Sequence, residues 1–210
     1  MHYKVLFMNN VENDISHIKK MMERSSTFIS LSGLSGVAAG IIALVGLAVA
    51  IRLLQANGID YFTDQSFVLE HSLVVQLMIV AILTLVFAII SGMYFTIKKS
   101  RKQDLKIWNM TTKAMLQAAL IPFLTGGIFC MILLQHQLYQ FITPAMLIFY
   151  GLALTSCSKY THAELLTLGM MEIFLGLLGG FWTGFGLILW GIGFGLLHII
   201  YGIYMYKKYK

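Results

Sequence analysis

The chain has 210 residues, of which 58% are hydrophobic and 11% are charged, and its formal net charge is +6. Soluble domains average about 25% charged residues, so this composition excludes an ordinary water-soluble fold. The positive charge could indicate nucleic-acid binding. However, the basic residues lie between apolar segments, which favours a role in membrane orientation and predicts no nucleic-acid partner.

The first 27 residues differ in composition from the rest of the chain. Their apolar side chains recur at helical spacing, at Val11, Ile15, Ile18 and Met22. Charged residues occupy the other faces, which predicts a short amphipathic helix on the cytoplasmic surface. This helix is either an interfacial lead-in to the first span or, through residues 11–24, a docking site for a soluble cytoplasmic partner.

Six apolar segments follow, and most are long enough to cross a hydrocarbon layer of ~30 Å, which takes ~20 helical residues. They occupy about 28–53, 73–97, 107–134, 141–158, 165–181 and 185–206. The sequence therefore predicts an all-α, polytopic bundle of six transmembrane helices over residues 28–206, with a basic tail at 207–210. In span four, Thr143 and Pro144 predict the helix start, with Thr143 as its cap.

The basic residues divide unevenly between the two sides of this bundle. Fourteen of the fifteen Lys and Arg residues fall on the side of the termini, and only Arg52 falls on the other side. Because basic loops stay in the cytoplasm, both termini are predicted to be cytoplasmic.

Small residues form stripes on three of the spans, and ten of the nineteen glycines lie between residues 169 and 202. Small residues four apart let helix backbones approach closely. Spans one, five and six are therefore predicted to form the tight core, while spans two and three are expected to face lipid or to pack more loosely. The glycines expected to pack in that core are Gly36, Gly40, Gly176, Gly180, Gly191, Gly195 and Gly202.

Polar residues inside the spans are the main candidates for a functional site. Glu172 is the only acidic residue deep in an apolar segment, and an intramembrane carboxyl group is costly to bury. Glu172, His198 and Ser35 each lie about seven or eight residues from the cytoplasmic ends, or ~10–12 Å at 1.5 Å per residue. This shared depth predicts a cluster of Glu172 and His198 with Ser35 or Ser32. The cluster is either a structural hydrogen-bond network or a ligand or proton site.

Catalytic chemistry has weaker support. Residues 33–36 read Gly-Leu-Ser-Gly, which resembles the serine motif of rhomboid proteases, but the second histidine expected of such an enzyme is missing. The histidines are spread over different depths of the bilayer, whereas the ligands of one metal lie ~2 Å from it. No catalytic residue, metal site or cofactor is therefore predicted.

Distinctive stretches lie at the two ends of the transmembrane region. The first is Met-Glu-Arg-Ser-Ser at 22–26 running into Ser-Gly-Leu-Ser-Gly at 32–36, and the second is Trp-Gly-Ile-Gly-Phe-Gly at 190–195 with Leu-His-Ile at 197–199. Both stretches resemble a family of uncharacterised six-span bacterial inner-membrane proteins, some of which carry the name carotene monooxygenase. The resemblance implies a multi-pass protein of the bacterial inner (plasma) membrane.

The sequence thus favours a non-enzymatic integral inner-membrane protein with a buried polar site between spans one, five and six. Its expected role is that of a sensor, a scaffold or a partner-binding module. The alternative is a small proton-coupled transporter or a channel-like homo-oligomer, and an intramembrane enzyme is third. The expected partners are the lipid bilayer, further copies of the chain and a soluble cytoplasmic protein.

Overall fold

The computed structural model describes residues 32–59, 69–103 and 107–209. These residues form six helices that are long and apolar enough to cross a membrane. In chain order they are α1 (Gly33–Ala56), α2 (His71–Lys102), α3 (Met110–Gln135), α4 (Tyr139–Tyr160), α5 (Glu164–Phe181) and α6 (Thr183–Lys208). The predicted all-α bundle of six transmembrane helices is confirmed, and every helix begins and ends within five residues of its predicted bounds.

Two predicted segments lie at the ends of the chain. The amphipathic helix predicted for residues 1–27, with its docking segment 11–24, lies outside the described residues. At the other end α6 continues to Lys208, so the first two residues of the predicted basic tail are helical.

The helices alternate in direction. Lys208 at the end of α6 pairs with Glu164 at the start of α5, and the Cys157 thiol near the end of α4 lies 3.5 Å from the Met115 carbonyl near the start of α3. The start of α1 packs against the end of α6. Apart from Arg52, every Lys and Arg among the described residues lies at this end of the bundle. We call it the basic end, and the other the opposite end.

α1 and α6 form one closely packed antiparallel pair. A methyl group added at Gly202 would lie 2.5 Å from the Val37 backbone nitrogen, and one added at Gly40 would lie 2.6 Å from the Gly195 carbonyl oxygen. Gly36 and Gly191 also face the partner helix. These backbones approach so closely because glycine has no side chain at the contact points, and Leu44 and Leu47 of α1 pack onto Gly195 and Gly191 of α6.

The second closely packed pair is α4 and α5, which corrects the predicted core. A methyl group at Gly151 of α4 would lie 2.6 Å from the Gly169 carbonyl oxygen, and one at Gly176 would lie 2.8 Å from the Pro144 carbonyl oxygen. The glycine stripe of α5 therefore packs against α4, because one narrow stripe can accommodate only one neighbouring backbone. Gly180 lies beyond this contact, with nothing within 4 Å of an added methyl group.

The α-helical part of α4 runs over Ile142–Cys157, and the predicted cap is not made. A 3₁₀ turn at Tyr139–Phe141 leads directly into the helix. This early start places Thr143 inside the first turn, where its hydroxyl oxygen is buried without a hydrogen-bond partner among the described residues.

α6 changes its winding along its length. It is α-helical over Gly186–Trp190, π-helical over Gly191–Leu197 and α-helical again over His198–Lys208. The π segment contains three glycines, which have a low α-helix propensity. π segments within α-helices often occur at functional sites, and this one ends directly before His198.

Candidate functional site

The polar groups inside the bundle meet where α4, α5 and α6 come together. Glu172 Oε1 of α5 lies 3.4 Å from His198 Nδ1 of α6. His198 Nδ1 also lies 2.9 Å from the Gly193 carbonyl oxygen, and His198 Nε2 lies 2.8 Å from the Tyr150 hydroxyl of α4. We call Tyr150, Glu172, Gly193 and His198 the central cluster.

Geometry constrains the protons on His198. A carbonyl oxygen only accepts hydrogen bonds, so Nδ1 carries a hydrogen and donates it to Gly193. In the neutral imidazole Nε2 is then an acceptor, and Tyr150 donates its hydroxyl hydrogen to it. In the charged imidazolium Nε2 donates to Tyr150 instead. The cluster can therefore hold one more proton by reversing a single hydrogen bond.

Glu172 is the most deeply buried ionisable group of the cluster. Its side chain is 0% exposed, and neither carboxyl oxygen has a hydrogen-bond partner among the described residues. Gly193 makes room for it, because a methyl group there would collide with Glu172 Oε2 and lie 2.6 Å from Leu147 Cδ2. A carboxyl group sealed in this way exchanges protons only with groups close to it, and His198 Nδ1 lies 3.4 Å from it.

Aromatic rings enclose the side of the cluster formed by α4 and α6. The Phe194 ring stacks on His198 at 5.9 Å and lies 4.8 Å from the Tyr150 ring. Trp190 continues the column, with its ring 5.0 Å from Phe194. These rings exclude water and lower the local dielectric, which strengthens the hydrogen bonds of His198.

The two predicted serines do not join the central cluster. Ser35 donates its hydroxyl hydrogen to the Ser32 carbonyl one turn earlier in α1, and in the described part of the chain neither serine bonds to Glu172 or His198. The polar groups thus meet between α4, α5 and α6 and not between spans one, five and six. Among the described residues Ser35 makes no hydrogen bond to a histidine, which a serine nucleophile needs.

Sequence reasoning missed Tyr150. The available signal was its position, seven residues before the end of the α-helical part of α4, which is a depth similar to that of Glu172. A buried tyrosine hydroxyl usually finds a hydrogen-bond partner, so a tyrosine at this depth should have been counted with the cluster.

A second set of polar side chains lies at the basic end. Lys208 donates to Glu164, and the Tyr209 hydroxyl donates to the same carboxylate at 3.1 Å. The His162 ring lies 4.0 Å from the Tyr209 ring. These contacts connect the start of α5 to the end of α6. They therefore fix the helix pair whose interior carries Glu172 and His198.

Comparison with known proteins identifies one family. A family model described as TMEM128 protein matches residues 46–161, from the middle of α1 through α4. The match contains Tyr150 but neither Glu172 nor His198, and it bears on neither a bacterial origin nor the carotene monooxygenase name. No curated protein and no solved structure matches the chain. Because the matched segment spans more than half of the 210 residues, the chain belongs to the TMEM128 protein family.

Proposed function

We propose that this multi-pass membrane protein acts without catalysis, as a sensor or scaffold inside the bilayer. The central cluster holds α4, α5 and α6 together and responds to protons. The supporting observation is that Glu172 and His198 are 0% and 6% exposed and lie in contact between three helices. A closed site of this kind suits a structural or sensing role better than passage of a substrate.

Proton response follows from the hydrogen bonds of His198. The neutral and the charged imidazole differ in the direction of the Tyr150 bond, and Glu172 is close enough to stabilise the charged form. Cys157 and Tyr201 are the next titratable groups near the cluster. Gain or loss of a proton here changes the stability of the contacts that α6 makes with α4 and α5.

The test is the pH dependence of stability. Glu172→Gln keeps the size of the side chain and removes its ability to ionise. Thermal unfolding of the full-length protein in detergent would be followed between about pH 5 and 8, the range in which histidine titrates. We expect the midpoint of the wild type to depend on pH and that of Glu172→Gln to depend on it less. Glu164→Gln, at the basic end, is the matched control and should keep the wild-type profile.

Two results would contradict the proposal. Identical pH profiles for the wild type and Glu172→Gln would remove the proton response. The second result concerns the transporter alternative. Proteoliposomes containing the protein should show no proton flux above that of protein-free vesicles. A flux that Glu172→Gln abolishes would replace the sensor or scaffold with a proton-coupled carrier.

We also propose a location in the bacterial inner membrane, with both termini in the cytoplasm. The distribution of Lys and Arg at the basic end supports this orientation. Binding of a soluble partner through residues 11–24 and assembly with further copies of the chain are proposals of the same standing. Both are compatible with a scaffold.

A further inference from the structure

α2 extends beyond the hydrocarbon layer at the basic end. It is the longest of the six helices, with 32 residues, and at 1.5 Å per residue it measures about 48 Å, whereas the hydrocarbon core of a bilayer is about 30 Å thick. All of its Lys and Arg residues lie within its last five positions, 98–102. These cations therefore lie at the level of the lipid headgroups.

One face of α2 carries an apolar, an aromatic and a basic section, in that order toward the basic end. Its members recur every three or four residues, which places them on one side of the helix, and all of them are exposed. Phe87 and Ile90 are 56% and 57% exposed, and Tyr94 is 58% exposed. We call this face the α2 stripe; it consists of Phe87, Ile90, Tyr94, Lys98, Arg101 and Lys102.

The length of the α2 stripe matches one leaflet of a bilayer. Phe87 and Lys98 lie eleven residues apart, or about 16 Å along the helix, and the acyl chains of one leaflet fill about half of the hydrocarbon core, or ~15 Å. Lys98 Nζ lies 5.9 Å from the centre of the Tyr94 ring, and amphipathic rings prefer headgroup depth. The stripe therefore presents an apolar surface to the chains and cations to the headgroups of the same leaflet.

The basic section of the stripe lacks acidic neighbours in the described part of the chain. Glu164 is the only carboxylate there at the basic end, and Lys208 pairs with it. No ion pair of Lys98, Arg101 or Lys102 exists among the described residues. Neighbouring cations repel one another, and a bound anion relieves this repulsion. The basic section is therefore complementary in charge to an anionic headgroup.

We propose that the α2 stripe binds one anionic phospholipid. Lys98, Arg101 and Lys102 bind its headgroup, and the guanidinium group of Arg101 donates two parallel hydrogen bonds to phosphate oxygens. One acyl chain lies along Ile90 and Phe87. A zwitterionic lipid is a poorer partner, because the amine of its headgroup cancels the charge of its phosphate. The site is separate from the central cluster, which is buried inside the bundle.

The first test is photo-cross-linking from within the stripe. The full-length protein carries benzoylphenylalanine in place of Ile90 and is reconstituted in bilayers of equal parts phosphatidylglycerol and phosphatidylcholine with the same acyl chains. Mass spectrometry identifies the cross-linked lipid. We expect phosphatidylglycerol to exceed phosphatidylcholine about tenfold, because three cations face one headgroup. Benzoylphenylalanine in place of Phe174 of α5, which is 61% exposed, is the control and should cross-link the two lipids about equally. The same preference at both positions would overturn the proposal.

A variant without the basic section tests the headgroup contacts. It combines Lys98→Gln, Arg101→Gln and Lys102→Gln, and position 90 should then cross-link the two lipids about equally. A preference for phosphatidylglycerol that survives these substitutions would contradict the assignment of the headgroup to these cations.

The matched control removes the same number of exposed cations from the basic ends of three other helices. It combines Lys113→Gln, Lys159→Gln and Lys207→Gln, and it should keep the preference at position 90. An equal loss of preference in the two triple variants would show that only the overall charge of the basic end matters, and would overturn a site on α2.

Salt tests the proposal without changing the cations. The Debye length falls from about 10 Å at 0.1 M to about 3 Å at 1 M ionic strength, so the preference at position 90 should fall toward equality in high salt. A preference that salt leaves unchanged would contradict binding through charge. Cross-links from position 90 to residues 1–31 of the same chain, or to a second copy, in place of lipid would show that protein covers the stripe and would refute lipid binding.

Discussion

Tyr150 is the hydrogen-bond partner whose bond to His198 changes direction when the imidazole gains a proton. Because Nδ1 of His198 donates to the Gly193 carbonyl, the only variable bond of the imidazole in the described structure is the one to the Tyr150 hydroxyl, at 2.8 Å. This bond also connects α4 to α6, whereas Glu172 brings α5 to the same imidazole. A single histidine thus contacts polar groups of three helices.

Removing the Tyr150 hydroxyl should destabilise the bundle. Tyr150→Phe leaves Nε2 of His198 buried without a partner, and we expect a loss of about 1 kcal/mol in the free energy of unfolding. Tyr94→Phe is the matched control, because Tyr94 is 58% exposed and its hydroxyl is outside the cluster. Thermal or denaturant unfolding in detergent measures both. Equal stability of the two variants would show that the Tyr150–His198 bond contributes nothing.

At the residue scale the sequence located two members of the cluster and missed two. Glu172 was recognisable because a carboxyl group in an apolar helix is rare, and His198 because it follows a run of glycines. Tyr150 was overlooked because tyrosines are common at membrane interfaces, although its depth within span four was readable from the sequence. Gly193 contributes only a backbone carbonyl, which no sequence pattern reveals. The serines were included because they share this depth on a glycine-lined helix, and neither depth nor a glycine stripe says which neighbour a side chain contacts.

At the scale of helices, glycine stripes identify a packing face but not its partner. α1 and α6 carry complementary stripes and contact each other, as expected for spans one and six. The stripe of α5 faces α4, whose only glycine is Gly151. Gly151 and Thr155 on α4 are small residues four apart, which was too short a pattern to distinguish this helix from the others. Hydropathy, in contrast, was sufficient to locate all six helices.

The packing glycines should be sensitive to the smallest substitution. Gly202→Ala places a methyl group 2.5 Å from the Val37 backbone nitrogen, and we expect a loss of about 1–3 kcal/mol because α1 and α6 must separate. Gly151→Ala should have a similar effect on α4 and α5. Gly180→Ala is the control, with nothing within 4 Å of the added methyl group. It should be neutral or slightly stabilising, since alanine favours helix.

The three glycine-to-alanine variants distinguish two reasons why a glycine in a stripe could be needed for stability. If Gly180→Ala destabilises the bundle as much as Gly202→Ala, the cost comes from changes in the helices themselves and not from close approach of their backbones. Unfolding midpoints measured in one detergent allow this comparison, because all three substitutions add the same methyl group to a helical glycine.

At the scale of the whole molecule, some helices of the bundle pack closely and others pack loosely. The α1–α6 and α4–α5 pairs are held by backbone contact, and the basic end is held by Glu164 and Lys208. α2 and α3 expose most of their surface to the surroundings, and a gap separates them toward the opposite end. The central cluster lies among the closely packed helices α4, α5 and α6, away from this gap.

The distribution of charge predicts which end faces the cytoplasm. Single cysteines at Asn57 and His136 lie at the opposite end, and single cysteines at Gln103 and Lys159 lie at the basic end; all four positions are exposed. A membrane-impermeant maleimide added to intact bacterial cells or spheroplasts should label the first two, and label the others only after the membrane is permeabilised. The reason is that Lys and Arg are retained on the cytoplasmic side during insertion. The native Cys130 and Cys157 lie within helices, and the chain without added cysteines gives their background. Labelling of positions 103 and 159 alone in intact cells would show that the orientation is the opposite of the predicted one. Labelling of all four positions would mean that the bundle inserts in both directions.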